Sequence, residues 1–384
     1  MSTSPSSHRI VGLDVARCVA LLGMIATHTL VAVDEDGVTF VQQLAGGRSS
    51  ALFALLAGVS ISLMTGRSSP VAGRERRAAA GGLMVRALVV AAIGLVLGSL
   101  GSGIAVILTY YGLLFVLGLP FLGLRARSLA ALAGVWALVV PVLSHLLRPH
   151  LPPPTLDSPT FDMLADPWQL LTELAFTGYY PVLPWMTYLL AGMAIGRLDL
   201  TRARTAAGLL LVPGVLLAVA GWFVSSALLE RPGAMPALRR TYDGAGGSLA
   251  EELTHGLNGT TPTGSWWWLA VHAPHSGTPF DLAHTTGSAM VVIALCLLVS
   301  ALAPRLMAVV FGAGAMSLSL YTLHVVMRTP PIWFEDGGAN FARHAALVLG
   351  VGAVFGLLRV RGPLETLVRR TAEGAAGTLR RAPG

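Results

Sequence analysis

The stretch TAAGLLLVPGVLLAVAGWFVSSALL, residues 205–229, carries no charge. As a helix it is long enough to cross the ~30 Å hydrocarbon core of a bilayer. Runs of this kind recur, and they constrain the chain more than any other feature. Ten spans are read, at 10–33, 50–65, 83–100, 103–124, 128–148, 179–197, 205–228, 283–303, 306–328 and 341–359. The expected fold is all-α: a polytopic membrane helix bundle of about ten transmembrane helices. The second span is short and meets the outer surface obliquely or partly buried.

Charge agrees with this. Charged residues make up 12% of the chain, about half the ~25% of a soluble domain. Every basic residue is Arg, with no Lys, which reads as codon bias of a GC-rich genome. With the N-terminus in the cytosol, inner segments hold seventeen Arg and outer segments seven. The positive-inside rule then expects both termini to be cytosolic. The net charge of +7 faces cytosol and anionic lipid rather than nucleic acid. Cys18 and Cys296 fall in apolar spans, so no disulfide framework is implied. Asp14 and Arg17 lie within or beside the first apolar run, so it is read as an uncleaved span rather than a signal peptide. The organisation expected is one integral membrane domain over 1–384. It comprises a core of seven spans (9–228), an outer loop (229–282), three further spans (283–360) and a basic cytosolic tail (361–384).

The first span poses a problem, because DVARCVALLGMIATH puts Asp14, Arg17 and His28 into an apolar helix. At ~100° per residue, Arg17 and His28 fall about 20° from alignment, and Asp14 shares their face. That stripe must face other helices or a hydrated cavity. His28 stands about 16 Å above Arg17 and roughly 21 Å above Asp14. Asp14 therefore cannot orient the imidazole, and pairs with Arg17 at i, i+3. On physics alone, a structural ion pair plus a histidine satisfied by a backbone carbonyl would explain the pattern.

The segment RIVGLDVARCVALLGMIATH resembles the first helix of the heparan-alpha-glucosaminide N-acetyltransferase family and its bacterial relatives. GRSSALFALLAGVSISLM, ILTYYGLLFVLGLPFL, YYPVLPWMTYLLAGMAIGR, PHSGTPFD and MSLSLYTLHVV follow in the order of the same bacterial group. Cys18 departs from the pattern, where such helices carry Gly. The resemblance implies an acyl-CoA-dependent transmembrane acyltransferase in a bacterial plasma membrane. Acetyl-CoA enters from the cytosol, and its acyl group passes to a glycan, lipid or small-molecule acceptor outside. Arg17, with Asp14, would meet the coenzyme phosphates. His28 would act as general base or as transient acyl carrier.

Acceptor-side candidates come from the outer ends. Tyr321 and His324 share a face of the ninth span, with His324 eighteen residues above its start, as His28 is above its own. Similar depth makes a His28–His324 partnership available, against a histidine that only reaches the interface. His275, Ser276 and Asp281 precede the eighth span as acceptor-side or loop-folding groups. Tyr110, Tyr111, Tyr179, Tyr180 and Trp185 are read as an aromatic belt. His272, His275 and His284 are too loosely spaced, without Cys, to expect a metal. The competing function is a transporter or flippase, since polar stripes also line transport paths. Whether the chain forms a homodimer is left open.

Overall fold

The computed structural model describes residues 9–35, 37–242, 244, 248–330, 332 and 337–381. The last three residues of the expected tail, 382–384, lie outside them. In chain order the helices are α1 Val11–Thr29, α2 Phe40–Ala45, α3 Arg48–Met64, α4 Gly73–Gly98, α5 Leu108–Gly118 and α6 Ala126–Leu147. They continue with α7 Pro167–Thr172, α8 Val182–Gly196, α9 Ala203–Leu229, α10 Ala234–Thr241, α11 Leu249–His255 and α12 Pro279–Leu302. The chain closes with α13 Pro304–Val310, α14 Ser317–Met327, α15 Gly338–Leu358 and α16 Pro363–Arg381. One short hairpin, Val33–Asp34 against Gly37–Val38, is the sole sheet among the described residues. The chain is an all-α bundle.

Seven helices are long and apolar enough to cross a bilayer, or eight when α13 and α14 count as one broken span. The expectation of ten full spans changes in three places. The apolar helices Leu108–Phe121 and Val182–Gly196 are shorter than a full span. Hydropathy alone cannot see where a helix starts. Residues before Leu108 are apolar but not helical, and Pro181 takes the N-cap of α8. The span expected at 306–328 bends by 60° around Phe311.

Contacts nevertheless sort the helix ends into two layers. At one end, Arg197 donates to the carbonyls of Thr65 (2.8 Å), Arg67 (3.0 Å) and Leu122 (2.6 Å), tying the ends of α3, α5 and α8. At the other, Gly337 N–H meets the Thr29 carbonyl at 2.7 Å, and Arg48 of α3 meets His284 of α12.

Close helix crossings depend on residues without side chains. A Cβ on Gly58 of α3 would strike the Leu189 carbonyl of α8, and one on Gly192 would strike that of Leu55. Removing either small residue forces the backbones apart. Burial then ranks the helices. In α1, 61% of the apolar window is buried, against 22% in α9, so α1 is central and α9 peripheral. The exposed row Leu209, Val212, Leu216, Val219 and Phe223 gives α9 an unshielded apolar face. Residues 229–278 are not a bare loop: α10 and α11 close over Leu238, Leu249, Leu257 and Trp268. The tail is a helix packed along α4, with Arg380 paired to Glu75 at 3.0 Å.

Candidate active site

The polar face of α1 is divided between two ends of the helix. Near its start, buried Asp14 receives the guanidinium of Arg9 and, at 2.8 Å, that of Arg17. A second arm of Arg17 donates to Ser60 Oγ of α3 at 2.8 Å. The carboxylate thus has two cations, while the Arg17 side chain stays 22% exposed. Gly314 lies against the Asp14 carbonyl so closely that no side chain fits there, which seats the bend of the broken span beside this pair.

At the other end of α1 stands a chain of three imidazoles from three helices. His28 Nδ1 is 3.1 Å from His324 Nε2, with ring planes 6° apart. His324 Nδ1 is 2.7 Å from His344 Nδ1 of α15, and those rings are nearly perpendicular at 78°. His324 is 0% exposed and His344 1%, whereas His28 is partly exposed. The Arg328 guanidinium at the end of α14 acts on all three. The structure therefore joins His28 to His324, and it adds His344, which the sequence reading passed over.

The half-helix that carries His324 is fixed at its N-terminus. Its first free backbone N–H groups, at Leu318 and Ser319, donate to Glu365 of α16 at 2.8 and 3.1 Å. Ser319 Oγ adds a third bond at 2.6 Å. A carboxylate at a helix N-terminus satisfies orphan donors and suits the helix dipole.

The other acceptor-side candidates divide. Tyr321 accepts from the backbone N–H of Ile107 at 3.4 Å, so its hydroxyl faces α5. His275 meets the Tyr180 ring at 5.8 Å between centroids and has a left-handed φ of 58°. Burial pushes its imidazole down to about 4, so the ring is neutral at pH 7. Ser276 and Asp281 are buried and fold the loop. Asp281 accepts from Gly277 N–H at 3.0 Å, and Ser276 Oγ lies 3.4 Å from Thr278 Oγ1. His284 is engaged elsewhere: its Nε2 accepts from Arg48 and its Nδ1 donates to the Ala218 carbonyl. Among the described residues no group of three or more His, Cys, Asp and Glu is placed to hold a metal.

Tyr111, read as part of an interfacial belt, is buried with a hydroxyl that has no partner, as is the Tyr110 hydroxyl. A cavity of about 450 Å³ opens between 98–105 and 155–163, with Tyr179 in its wall. Its floor is tied down by Thr155 Oγ1, which donates to the fully buried Glu173 at 2.8 Å.

Residues 9–231, more than half of the chain, match the family described as heparan-alpha-glucosaminide N-acetyltransferase, catalytic. The matched segment contains Asp14, Arg17 and His28 and ends before α12, so His324 and His344 lie beyond it. No curated protein matches the chain.

Proposed function

The chain belongs to the heparan-alpha-glucosaminide N-acetyltransferase family, and from that premise we propose a direction and a chemistry for this membrane acetyltransferase. Acetyl-CoA binds from the cytosol, and the acetyl group, or another acyl group, is transferred to a hydroxyl or amine acceptor at the outer face. The observation that supports this best is His28: a partly exposed imidazole at the outer end of the central helix, backed by two buried imidazoles. Arg17 and Asp14 stand at the cytosolic end of the same helix, where the coenzyme phosphates would meet a guanidinium fork.

Two routes are open to His28. As general base, its Nε2 takes the proton of the acceptor O–H or N–H while that atom attacks the thioester carbonyl. The C–S bond breaks, and the coenzyme thiolate leaves and collects a proton to become the thiol. As acyl carrier, Nε2 itself attacks the carbonyl and releases the thiolate. The acceptor then attacks the acyl-imidazole and frees the ring, and the acceptor's proton ends on the coenzyme sulfur, giving the thiol. Either route needs a lone pair on Nε2. The acceptor, a glycan, lipid or small molecule, would enter by the cavity beside Tyr179, with His275, against the Tyr180 ring, and Tyr321, bonded to Ile107, as further contacts and Ser276 and Asp281 shaping the loop. The membrane is taken as a bacterial plasma membrane, and a homodimer is compatible with the exposed α9 face.

The test is direct. Purified protein in lipid nanodiscs should bind acetyl-CoA by calorimetry and hydrolyse it slowly. His28→Ala should lower acyl turnover by about 10²–10⁴-fold, the usual effect of losing a general base, with coenzyme binding kept. No binding of acetyl-CoA and no turnover would reject the proposal. The second reading, a transporter or flippase, draws on one observation: the broken span α13–α14, since discontinuous helices build transport sites. Acceptor-independent movement of a lipid or metabolite across proteoliposomes would favour it.

A further inference from the structure

A neutral imidazole has one N–H and one lone pair, so each link between two rings needs a donor on one side and an acceptor on the other. Two proton arrangements satisfy both links of this chain. In one, His28 donates from Nδ1 to Nε2 of His324, which donates from Nδ1 to Nδ1 of His344. His28 Nε2 then carries a lone pair. In the other, every proton is shifted. His344 donates to His324, His324 donates from Nε2 to His28, and His28 Nε2 holds a hydrogen. Only the first arrangement can accept a proton or attack a carbonyl.

Exposure marks the working end. His324 and His344 are sealed in the bundle at 0% and 1%, and His28 alone of the three is reachable. We propose that His344 is a positioning residue, which accepts the Nδ1 proton of His324 and so keeps Nε2 of His28 as the free lone pair. The consequence for catalysis rests on the acyl-transfer reading. The proton order itself concerns the three rings and the Arg328 cation that acts on them, and needs no substrate.

The physical reason lies in what the absence of His344 would do. An N–H on His324 Nδ1 would then lose the acceptor it has in a buried site, which costs more than leaving a lone pair there. His324 would take its proton on Nε2 and donate it to His28 Nδ1. His28 would in turn carry its own hydrogen on Nε2, facing the acyl donor with no lone pair.

The experiment needs neither coenzyme nor acceptor. Diethyl pyrocarbonate acylates a neutral imidazole nitrogen, forming the N-carbethoxy ring with release of ethanol and carbon dioxide. Its rate at His28, read by mass spectrometry of the His28 peptide in the nanodisc-held protein, reports the lone pair directly. His344→Leu should slow labelling by about 10–100-fold, the size of effect that losing an imidazole's outer partner has on the affinity or activity of metal sites. His344→Asn puts its carbonyl oxygen near the Nδ1 position and should label like wild type. His344→Gln places its amide near Nε2 instead. It should label slowly, and it carries the test where His344→Leu does not fold. Wild-type labelling in His344→Leu or His344→Gln, or slow labelling in His344→Asn, overturns the proposal. Labelling as stated without acyl turnover would leave the proton order standing and reject the acyltransferase reading alone.

Discussion

Asp14 is 5% exposed, and a buried carboxylate persists only when its charge is met. Two guanidiniums meet it, so removing one does not strand it. Arg17→Ala should therefore leave the protein folded through the Arg9 contact while weakening acetyl-CoA binding. Arg17→Lys should restore that binding only in part, since a point charge does not replace a planar fork. Calorimetry with wild-type affinity in both variants would reject the coenzyme role. A second residue-scale prediction concerns His275, whose imidazole is pushed from 6.5 to about 4 by burial. Between those values the unfolded chain binds a proton that the folded loop refuses. Stability is thus full above pH 6.5, falls as pH drops toward 4, and changes no further below both. Melting at pH 7 and pH 5 should show the loss in wild type and a smaller loss in His275→Asn, because Asn tolerates the left-handed φ. Equal losses in the two proteins would show that this ring is not the cause.

At the scale of elements, the α3–α8 crossing is set by glycine. Gly192→Leu should drive the Leu55 carbonyl away and lower the melting temperature, at a cost of about 1–3 kcal/mol or more. An unchanged melting temperature would mean the crossing is looser than the packing implies. The same elements show what could be read in advance. Each of the ten apolar runs contains a helix, but run length counts residues and is blind to direction, so the 60° bend at Phe311 was read as one helix. The His28–His324 pairing was one of two readings, offered from equal height, each residue standing eighteen above a helix start, beside a histidine that only reaches the interface. In the structure α14 starts at Ser317, so His324 sits seven residues above it, and the partnership holds although the height argument used the wrong origin. His344, three residues into the tenth expected span, was open to the same outer-end reasoning, which stopped at the ninth. For Asp281 and Ser276 the loop-folding reading stood beside an acceptor-side one, and sequence could not choose, because it gives a polar residue's neighbours but not what its atoms bond.

For the whole molecule, the two contact layers and the seventeen-to-seven partition of Arg lead to one expectation. Reporter fusions at Thr260 and after Arg381 should report opposite sides of the membrane, and the same side for both would exclude cytosolic termini. The tail helix adds a matter of timing. Glu365 lies in α16 yet caps α14, and α14 and α15 supply the rings behind His28. The ribosome makes α1 first, so Asp14, Arg17 and His28 enter the membrane long before most of their partners exist. Ser60 of α3 can shelter Arg17 early. His28 waits for His324 and His344, and the helix bearing His324 waits for Glu365 to set its height. The ring chain behind His28 therefore gains its full set of contacts only near the end of synthesis, and a ribosome stalled before residue 365 leaves α14 without its Glu365 cap.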